Sequence, residues 1–178
     1  MELQADARIP FPRETVFAAY RDDMSKLLPY LSNVRSIEVK SRKEIGPVVE
    51  LVNEWRAGGE IPAAVRAVLN ESMLSWTDYA SWDSASLHWD WRIEPHALKE
   101  ALRCSGRTSL TADGAGKTLA QFRGMLEIDA KKIRGVPGFL AGTVGRAAEA
   151  FLVDRIQSNL IETAEGVSRY LQERKPPA

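Results

Sequence analysis

Few side chains in this sequence could perform acid–base or metal chemistry, and their spacing argues against a dedicated site. His88 and His96 are the only histidines, and no CxxC or HExxH motif accompanies them. A zinc site needs three or four such ligands, so none is expected. In "SLHWDWRIEP", His88 shares its strand face with Asp90, opposite Trp89 and Trp91. It is therefore predicted to point to solvent, where it would not serve catalysis.

Cys104 is the only cysteine, which excludes an intramolecular disulfide and a thiolate metal cluster. It lies in phase with Leu102 and Leu110, as a small buried hydrophobe would, although contact between its thiol and a ligand stays open as an alternative. An unpaired cysteine is typical of a reducing compartment. The N-terminal "MELQADARIPF" has no apolar run, so the sequence predicts a cytoplasmic protein.

Neither nucleic acid nor nucleotide phosphate is an expected partner. The 24 basic residues balance the 24 acidic ones, whereas phosphate-binding surfaces normally carry a basic surplus. "DGAGKT", residues 113–118, resembles a phosphate loop, but Thr111 stands where the motif requires its first glycine. Asp113-Gly114 instead predicts a hairpin turn.

Asn53 is the clearest candidate for a buried polar group. It alternates in phase with Leu51 and Trp55, so it is predicted to face inward. An unpaired buried amide costs about 1–3 kcal/mol, so Asn53 must bind either a backbone group or the polar end of a ligand. The strands of Asp78 and Arg103 alternate less cleanly, which leaves the direction of these two side chains open.

The elements around these residues are readable from their periodicity. "ELQADARI" alternates strictly and predicts a half-buried strand, and "RETVFAAYRDD" and "MSKLLPYLSN" predict two short helices. "IPAAVRAVL" predicts a further short helix with proline near its start. The remaining strands are predicted in "VRSIEVKSRKE", "VVELVNEWRAGG", "MLSWTDYASWD", "SLHWDWRIEP", "ALRCSGRTSLTADG" and "KTLAQFRGMLEID".

One long helix is predicted to cover this sheet. After residues 135–138, apolar residues recur every three or four positions to about Glu173. No linker or repeat interrupts the chain, so the sequence predicts one α+β domain over residues 1–178. An antiparallel sheet with one polar face is usually covered on one side only.

This order resembles the helix-grip fold of the START and birch-pollen-allergen superfamily, SRPBCC, in its polyketide cyclase and lipid-transfer branch. The segments that carry the resemblance are "ARIPFPRETVFAAYRD" and "LLPYLSNVRSIEV", and "IPAAVRAVLNESMLSW" resembles the insertion of PRELI-type lipid-transfer proteins. The resemblance implies a curved sheet of about seven strands wrapped around the C-terminal helix, with two short helices after the first strand. It also implies an apolar cavity between sheet and helix, which the small residues Gly106, Ala120 and Gly124 are expected to widen.

The expected function is to bind, and to carry, a hydrophobic small molecule such as a lipid, quinone or polyketide, without a metal or cofactor. The residues expected to contact it are Leu51, Asn53, Trp55, Trp89, Trp91, Phe122 and Leu126 from the sheet, and Leu140, Val144, Ala148 and Leu152 from the helix. Two alternatives stay open, an aromatase/cyclase-type enzyme and a ligand-free interaction module. Convergence of Asn53, Asp78 or Arg103 inside the cavity would favour the enzyme.

Residues 131–142, "KKIRGVPGFLAG", combine basic and apolar side chains. Such a segment suits transient contact with a membrane, although a solvated turn that folds back onto the core is the simpler interpretation. The sequence gives no indication of oligomeric state.

Overall fold

The computed structural model describes residues 1–58, 73–97, 99–132 and 141–174. Two helices follow the first strand, six strands come next, and a long helix ends the described chain. The elements are β1 (Glu2–Ile9), α1 (Arg13–Asp22), a 3₁₀ helix (Met24–Tyr30), β2 (Val34–Ile45), β3 (Val48–Ala57), β4 (Ser75–Asp83), β5 (His88–Pro95), β6 (Leu102–Ala112), β7 (Thr118–Ile128), a short 3₁₀ turn (Ala130–Lys132) and α2 (Ala141–Glu173).

The strands form one antiparallel sheet in the order β1-β7-β6-β5-β4-β3-β2. β1 and β2 therefore occupy opposite edges, and α1 and the first 3₁₀ helix cross between them. The predicted turn at Asp113-Gly114 is confirmed, with Gly114 at a φ of 82° and Asp113 N–H donating to Lys117 O over 3.0 Å. The second predicted helix is 3₁₀ rather than α because Pro29 lies inside it and cannot donate a backbone hydrogen bond.

Alternation predicted the buried faces well, except where a strand bulges. Leu3 and Ile9 of β1 are each 1% exposed, as their phase requires. In β2, Ile37 is buried but Val39 is 47% exposed. Val39 lies just before the shift in the register of β2 against β3, on an edge strand whose residues from Glu38 to Ile45 are all exposed.

Aromatic rings fill one part of the space between sheet and helices. Trp82 and Trp89 stack with their centroids 4.2 Å apart, and Phe17 meets Trp82 edge-on at 5.5 Å. Tyr20 of α1 lies 5.1 Å from Trp89. Offset and edge-to-face pairs of this kind add to the stabilisation from apolar burial, so this part of the interior is a packed core.

Trp91 occupies the space that two inward glycines leave free. A Cβ on Gly106 would meet Trp91 Cζ2 at 2.5 Å, and one on Gly124 would meet Trp91 Cη2 at 2.8 Å. Gly106 and Gly124 face each other across β6 and β7, so the indole lies over both. The expectation that these glycines widen the cavity is therefore wrong, because they admit a large ring.

The helix α2 packs mainly against β1 and the first 3₁₀ helix, which leaves the inner side of β3–β6 less covered. Its residue Glu162 accepts hydrogen bonds from Ser32 N–H, from Ser32 Oγ at 2.6 Å and from Asn33 Nδ2 at 3.0 Å. The predicted helix in "IPAAVRAVL" and the predicted start of the long helix near Val136 lie outside the described residues. No helix in the described ranges is long and apolar enough to cross a bilayer.

Candidate ligand cavity

A cavity of about 210 Å³ lies between the inner face of the sheet and the middle of α2. One water needs about 10–15 Å³ of such space, so this cavity has room for a small organic molecule. The described residues that line it are Tyr20, Met24, Val34, Trp55, Ala57, Met73, Leu74, Ser75, Trp76, Asp78, Trp82, Trp89, Trp91, Ile93, Pro95, Leu102, Cys104, Thr108, Phe122, Leu152, Arg155, Ile156, Asn159, Leu160 and Thr163.

Tryptophan side chains form much of the wall. Trp55 and Trp76, paired across β3 and β4, stack almost parallel with 5.8 Å between their centroids. Trp91 is held in place because its Nε1 donates to Thr108 Oγ1 over 3.1 Å, and Thr108 is fully buried. Flat, rigid, apolar rings fixed in this way suit a planar or apolar ligand.

Asp78 is the one acidic side chain among the described lining residues. It lies in phase with the buried Ala80 and Trp82 and therefore points inward from β4. Its neighbour across the sheet is Asn53, whose Nδ2 donates to Asp78 Oδ2 over 3.3 Å. Asn53 is 2% exposed, so its amide holds the carboxylate from behind while Asp78 borders the open space.

Burial raises the pKa of Asp78 from 3.8 to about 6, and the Asn53 hydrogen bond opposes this rise only in part. The carboxyl group thus exchanges its proton near neutral pH. Asn53 and Asp78 therefore converge at the cavity, whereas Arg103 is exposed and lies on the outer face of β6. The sequence had left the directions of both Asp78 and Arg103 open.

The helix and the other strands supply weaker polar groups. Thr163 Oγ1 donates to the Asn159 carbonyl over 2.7 Å, while the Oδ1 atom of Asn159 is buried without a partner among the described residues. Burial raises the pKa of Cys104 to about 12, so its thiol stays protonated. Within the same ranges, no group of three or more His, Cys, Asp or Glu side chains could hold a metal ion.

The residues predicted to contact a ligand divide into three groups. Trp55, Trp89, Trp91, Phe122 and Leu152 line the cavity, and Asn53 stands directly behind Asp78. Leu51, Leu126 and Ala148 are buried but do not line it, because they pack within the core. Leu140 lies outside the described residues, as does the side chain of Val144.

Sequence reasoning missed Arg155 and Asn159, which α2 brings to the cavity one turn apart. The sequence did contain a signal for these two residues, since both are polar and lie beside the apolar helical stripe of Leu152, Ile156 and Leu160. The direction of the Asp78 side chain also stayed undecided, because the aromatic Tyr79 next to it obscures the alternation of polar and apolar residues in β4. Tyr79 lies on the outer face, where the Arg92 guanidinium sits 4.1 Å above its ring.

The fold matches several solved structures along almost the whole chain. TTHA0849 from Thermus thermophilus is 20% identical with a TM-score of 0.69, and the match covers 98% of this chain and 100% of that one. ZhuI aromatase/cyclase from Streptomyces sp. R1128 is 16% identical with a TM-score of 0.68, covering 98% and 94%. Norcoclaurine synthase from Thalictrum flavum is 11% identical with a TM-score of 0.62, covering 98% and 87%.

No protein-family model matches the sequence, and no curated protein gives a significant sequence match. At identities of 11–20%, likeness to solved structures concerns the fold. The seven-stranded antiparallel sheet and the long C-terminal helix agree with it. The chain therefore has the helix-grip fold, as the sequence predicted.

Proposed function

We propose that this protein binds a hydrophobic small molecule in the cavity between the sheet and α2. The observation that supports this most is the cavity itself, about 210 Å³ of space lined mainly by apolar and aromatic side chains. Protein interiors normally leave few voids larger than a water molecule, because empty space forfeits dispersion contacts. A cavity of this size and lining is what a carrier needs, and it weighs against an interaction module with a filled core.

Native mass spectrometry of freshly purified protein, compared with the denatured chain, tests this proposal. We expect an added mass that disappears on denaturation, and quenching of tryptophan fluorescence when apolar ligands are added to emptied protein. Two substitutions on one helix provide the comparison. Ile156→Trp places an indole in the cavity, whereas Ile161→Trp adds the same indole at a position that is 40% exposed.

I156W should lose the added mass and the ligand-induced quenching, while I161W should keep both. Equal binding by the two variants, or no binding by the wild type, would contradict the proposal. Near-ultraviolet circular dichroism of I156W would show that the loss reflects a filled cavity and not unfolding, since overpacking costs about 1–3 kcal/mol.

A second candidate function is acid–base catalysis on the bound molecule, and the observation that favours it is Asp78. A general acid or base works best with a pKa near the operating pH, and burial raises the pKa of Asp78 to about 6 beside the cavity. Fold relatives of this chain include an aromatase/cyclase and norcoclaurine synthase, which are enzymes by name.

Expression of two proteins in one kind of host cell can distinguish a carrier from an enzyme. Wild type and Asp78→Asn would be expressed in parallel, and their bound molecules extracted and compared by liquid chromatography and mass spectrometry. A carrier that binds through Asp78 loses or exchanges its compound in D78N, and purified wild type leaves any compound extracted from D78N unchanged. An enzyme leaves unconverted substrate on D78N, and added wild type converts that substrate into the compound found on the wild-type protein.

The proposal includes the remaining expectations from the sequence. Residues 1–178 would form one domain, since one sheet uses strands from Glu2 to Ile128 and α2 packs on it. A cytoplasmic location would suit the free, buried Cys104. Transient membrane contact through residues 131–142 would serve ligand transfer. Most of this segment lies outside the described residues.

A further inference from the structure

We propose that the cavity selects an apolar molecule that carries a protonated amine, and that the Asp78 carboxylate, held by Asn53, binds this amine. The inference rests on the proposed function, because it names the ligand chemistry of the same cavity. It concerns a binding role for Asp78 and requires no reaction.

The first argument is geometric. Asn53 occupies only one oxygen of Asp78, through the 3.3 Å hydrogen bond to Oδ2. The Oδ1 atom has no hydrogen-bond partner in the described part of the chain, and the side chain borders the cavity. A ligand in the cavity can therefore reach the carboxylate without displacing any described protein contact.

The second argument concerns charge. A carboxylate removed from water is costly unless an opposite charge or several donors compensate it. Asn53 provides one donor, and no salt bridge joins Asp78 to a described basic residue. An alkylammonium group brings a positive charge and three N–H donors, with no acceptor that would lie against the carboxylate. An alcohol brings one donor and no charge.

The walls near Asp78 favour the same ligand. Trp76 is on the same strand face, two residues away, and stacks on Trp55. Indole faces attract cations and also accept apolar rings or chains. The Arg155 guanidinium lines the cavity as well, but it sits 5.8 Å from the Phe151 ring centroid.

The described titratable groups that share the cavity are Tyr20 of α1, Cys104 of β6 and Arg155 of α2. Burial raises the pKa of Tyr20 far above neutrality and that of Cys104 to about 12. Neither group changes its charge between pH 5 and 8, and arginine stays protonated throughout. Among the described residues that line the cavity, Asp78 is therefore the group whose charge changes in this range.

The test uses three probes of nearly equal shape, 1-naphthylmethylamine, 1-naphthalenemethanol and 1-naphthoic acid, titrated calorimetrically into ligand-free protein. At pH 8 we expect the amine to bind at least tenfold more tightly than the alcohol, and the acid to bind most weakly. The advantage of the amine should shrink as pH falls from 8 to 5, because Asp78 becomes protonated near pH 6. The amine keeps its charge over this range.

Asp78→Asn should abolish the preference for the amine while still binding the alcohol, which also shows that the variant is folded. The matched control is Asp90→Asn on the outer face of β5, where Asp90 pairs with Arg107 at 2.6 Å, and it should keep the preference. Equal affinity for amine and alcohol would overturn the inference but leave the proposed function intact. Preference for the acid would also overturn it and would implicate Arg155. If none of the three probes bound, the proposed function would fail with it.

Discussion

The buried carboxylate of Asp78 destabilises the folded state, and the pH dependence of the free energy of unfolding should show this. The pKa of its carboxyl is raised by burial from 3.8 to about 6, so the folded state holds this proton more tightly than the unfolded state does. The stability contribution is therefore favourable below pH 4 and is lost as pH rises through 6. Each pKa unit corresponds to about 1.4 kcal/mol, which sets an upper limit of about 3 kcal/mol.

Asp78→Asn should accordingly raise the free energy of unfolding at pH 8, by about 1–3 kcal/mol, and give little or no gain at pH 4. Urea titrations at both pH values measure this difference. Asp90→Asn should have the opposite sign, since the hydrogen bond from Arg107 lowers the pKa of Asp90 and the substitution removes that pairing. A D78N variant less stable than wild type at pH 8 would show that Asp78 is satisfied inside the fold.

Asn53 and Asp78 also show what a sequence can and cannot reveal about single residues. Alternation with Leu51 and Trp55 placed Asn53 inward, and it is 2% exposed. Its partner could not be found in the same way, because cross-strand neighbours depend on register, which β3 alone does not fix. The same holds for the residues of the cavity wall. Alternation within one strand shows which way a side chain faces, but which side chains meet depends on how the strands pair in the sheet.

The close approach of β6 and β7 depends on Gly106 and Gly124, which were wrongly expected from the sequence to widen the cavity. At Gly106 a Cβ would lie 2.3 Å from the Arg123 carbonyl oxygen and 2.5 Å from Trp91 Cζ2. Gly106→Ala should therefore cost about 1–3 kcal/mol, as overpacking does. At Gly142 in α2 the nearest described side-chain atom would be Arg146 Nη1, 3.7 Å away, so Gly142→Ala should be neutral or stabilising. Urea denaturation of both variants tests the contrast, and equal effects would contradict it.

Glu162 joins α2 to the segment that leads into β2, and the strength of this junction should depend on its charge. Burial raises the pKa of Glu162, but the hydrogen bonds from Ser32 and Asn33 outweigh burial and lower it overall. Its stabilisation is therefore present at neutral pH and is lost as pH falls through the lowered pKa.

Glu162→Gln should destabilise the protein by about 1–2 kcal/mol at pH 7, because the amide oxygen accepts only neutral hydrogen bonds and the amide nitrogen cannot accept one from Ser32 or Asn33. Glu165→Gln, an exposed position on the same helix, should change stability little. Hydrogen exchange of the Ser32 and Asn33 amides gives a local readout alongside urea titration. Unchanged exchange in E162Q would mean that the junction does not depend on this carboxylate.

Over the molecule as a whole, periodicity and order predicted the elements, and the resemblance to the helix-grip fold implied how they are arranged. The strict alternation of β1 and the three-to-four spacing of α2 each fix one face, and their order left few arrangements. The cavity too was expected only from that resemblance, and not from periodicity. It exists because α2 packs mainly toward β1 and the first 3₁₀ helix, while Trp82, Trp89 and their neighbours fill only one part of the interior. Such a balance between packed and open space depends on tertiary contacts.

Cys104 offers a test of how tightly this interior is closed. The thiol is 2% exposed and lines the cavity, and burial raises its pKa to about 12. At pH 8 its thiolate fraction is then on the order of 10⁻⁴, compared with about one quarter in an unfolded chain. A charged aromatic disulfide reagent should therefore label native protein at least 100-fold more slowly than urea-unfolded protein, and a bound ligand should slow labelling further. Labelling of the native protein at the unfolded rate would mean that the cavity opens at β6, so that α2 does not close over it.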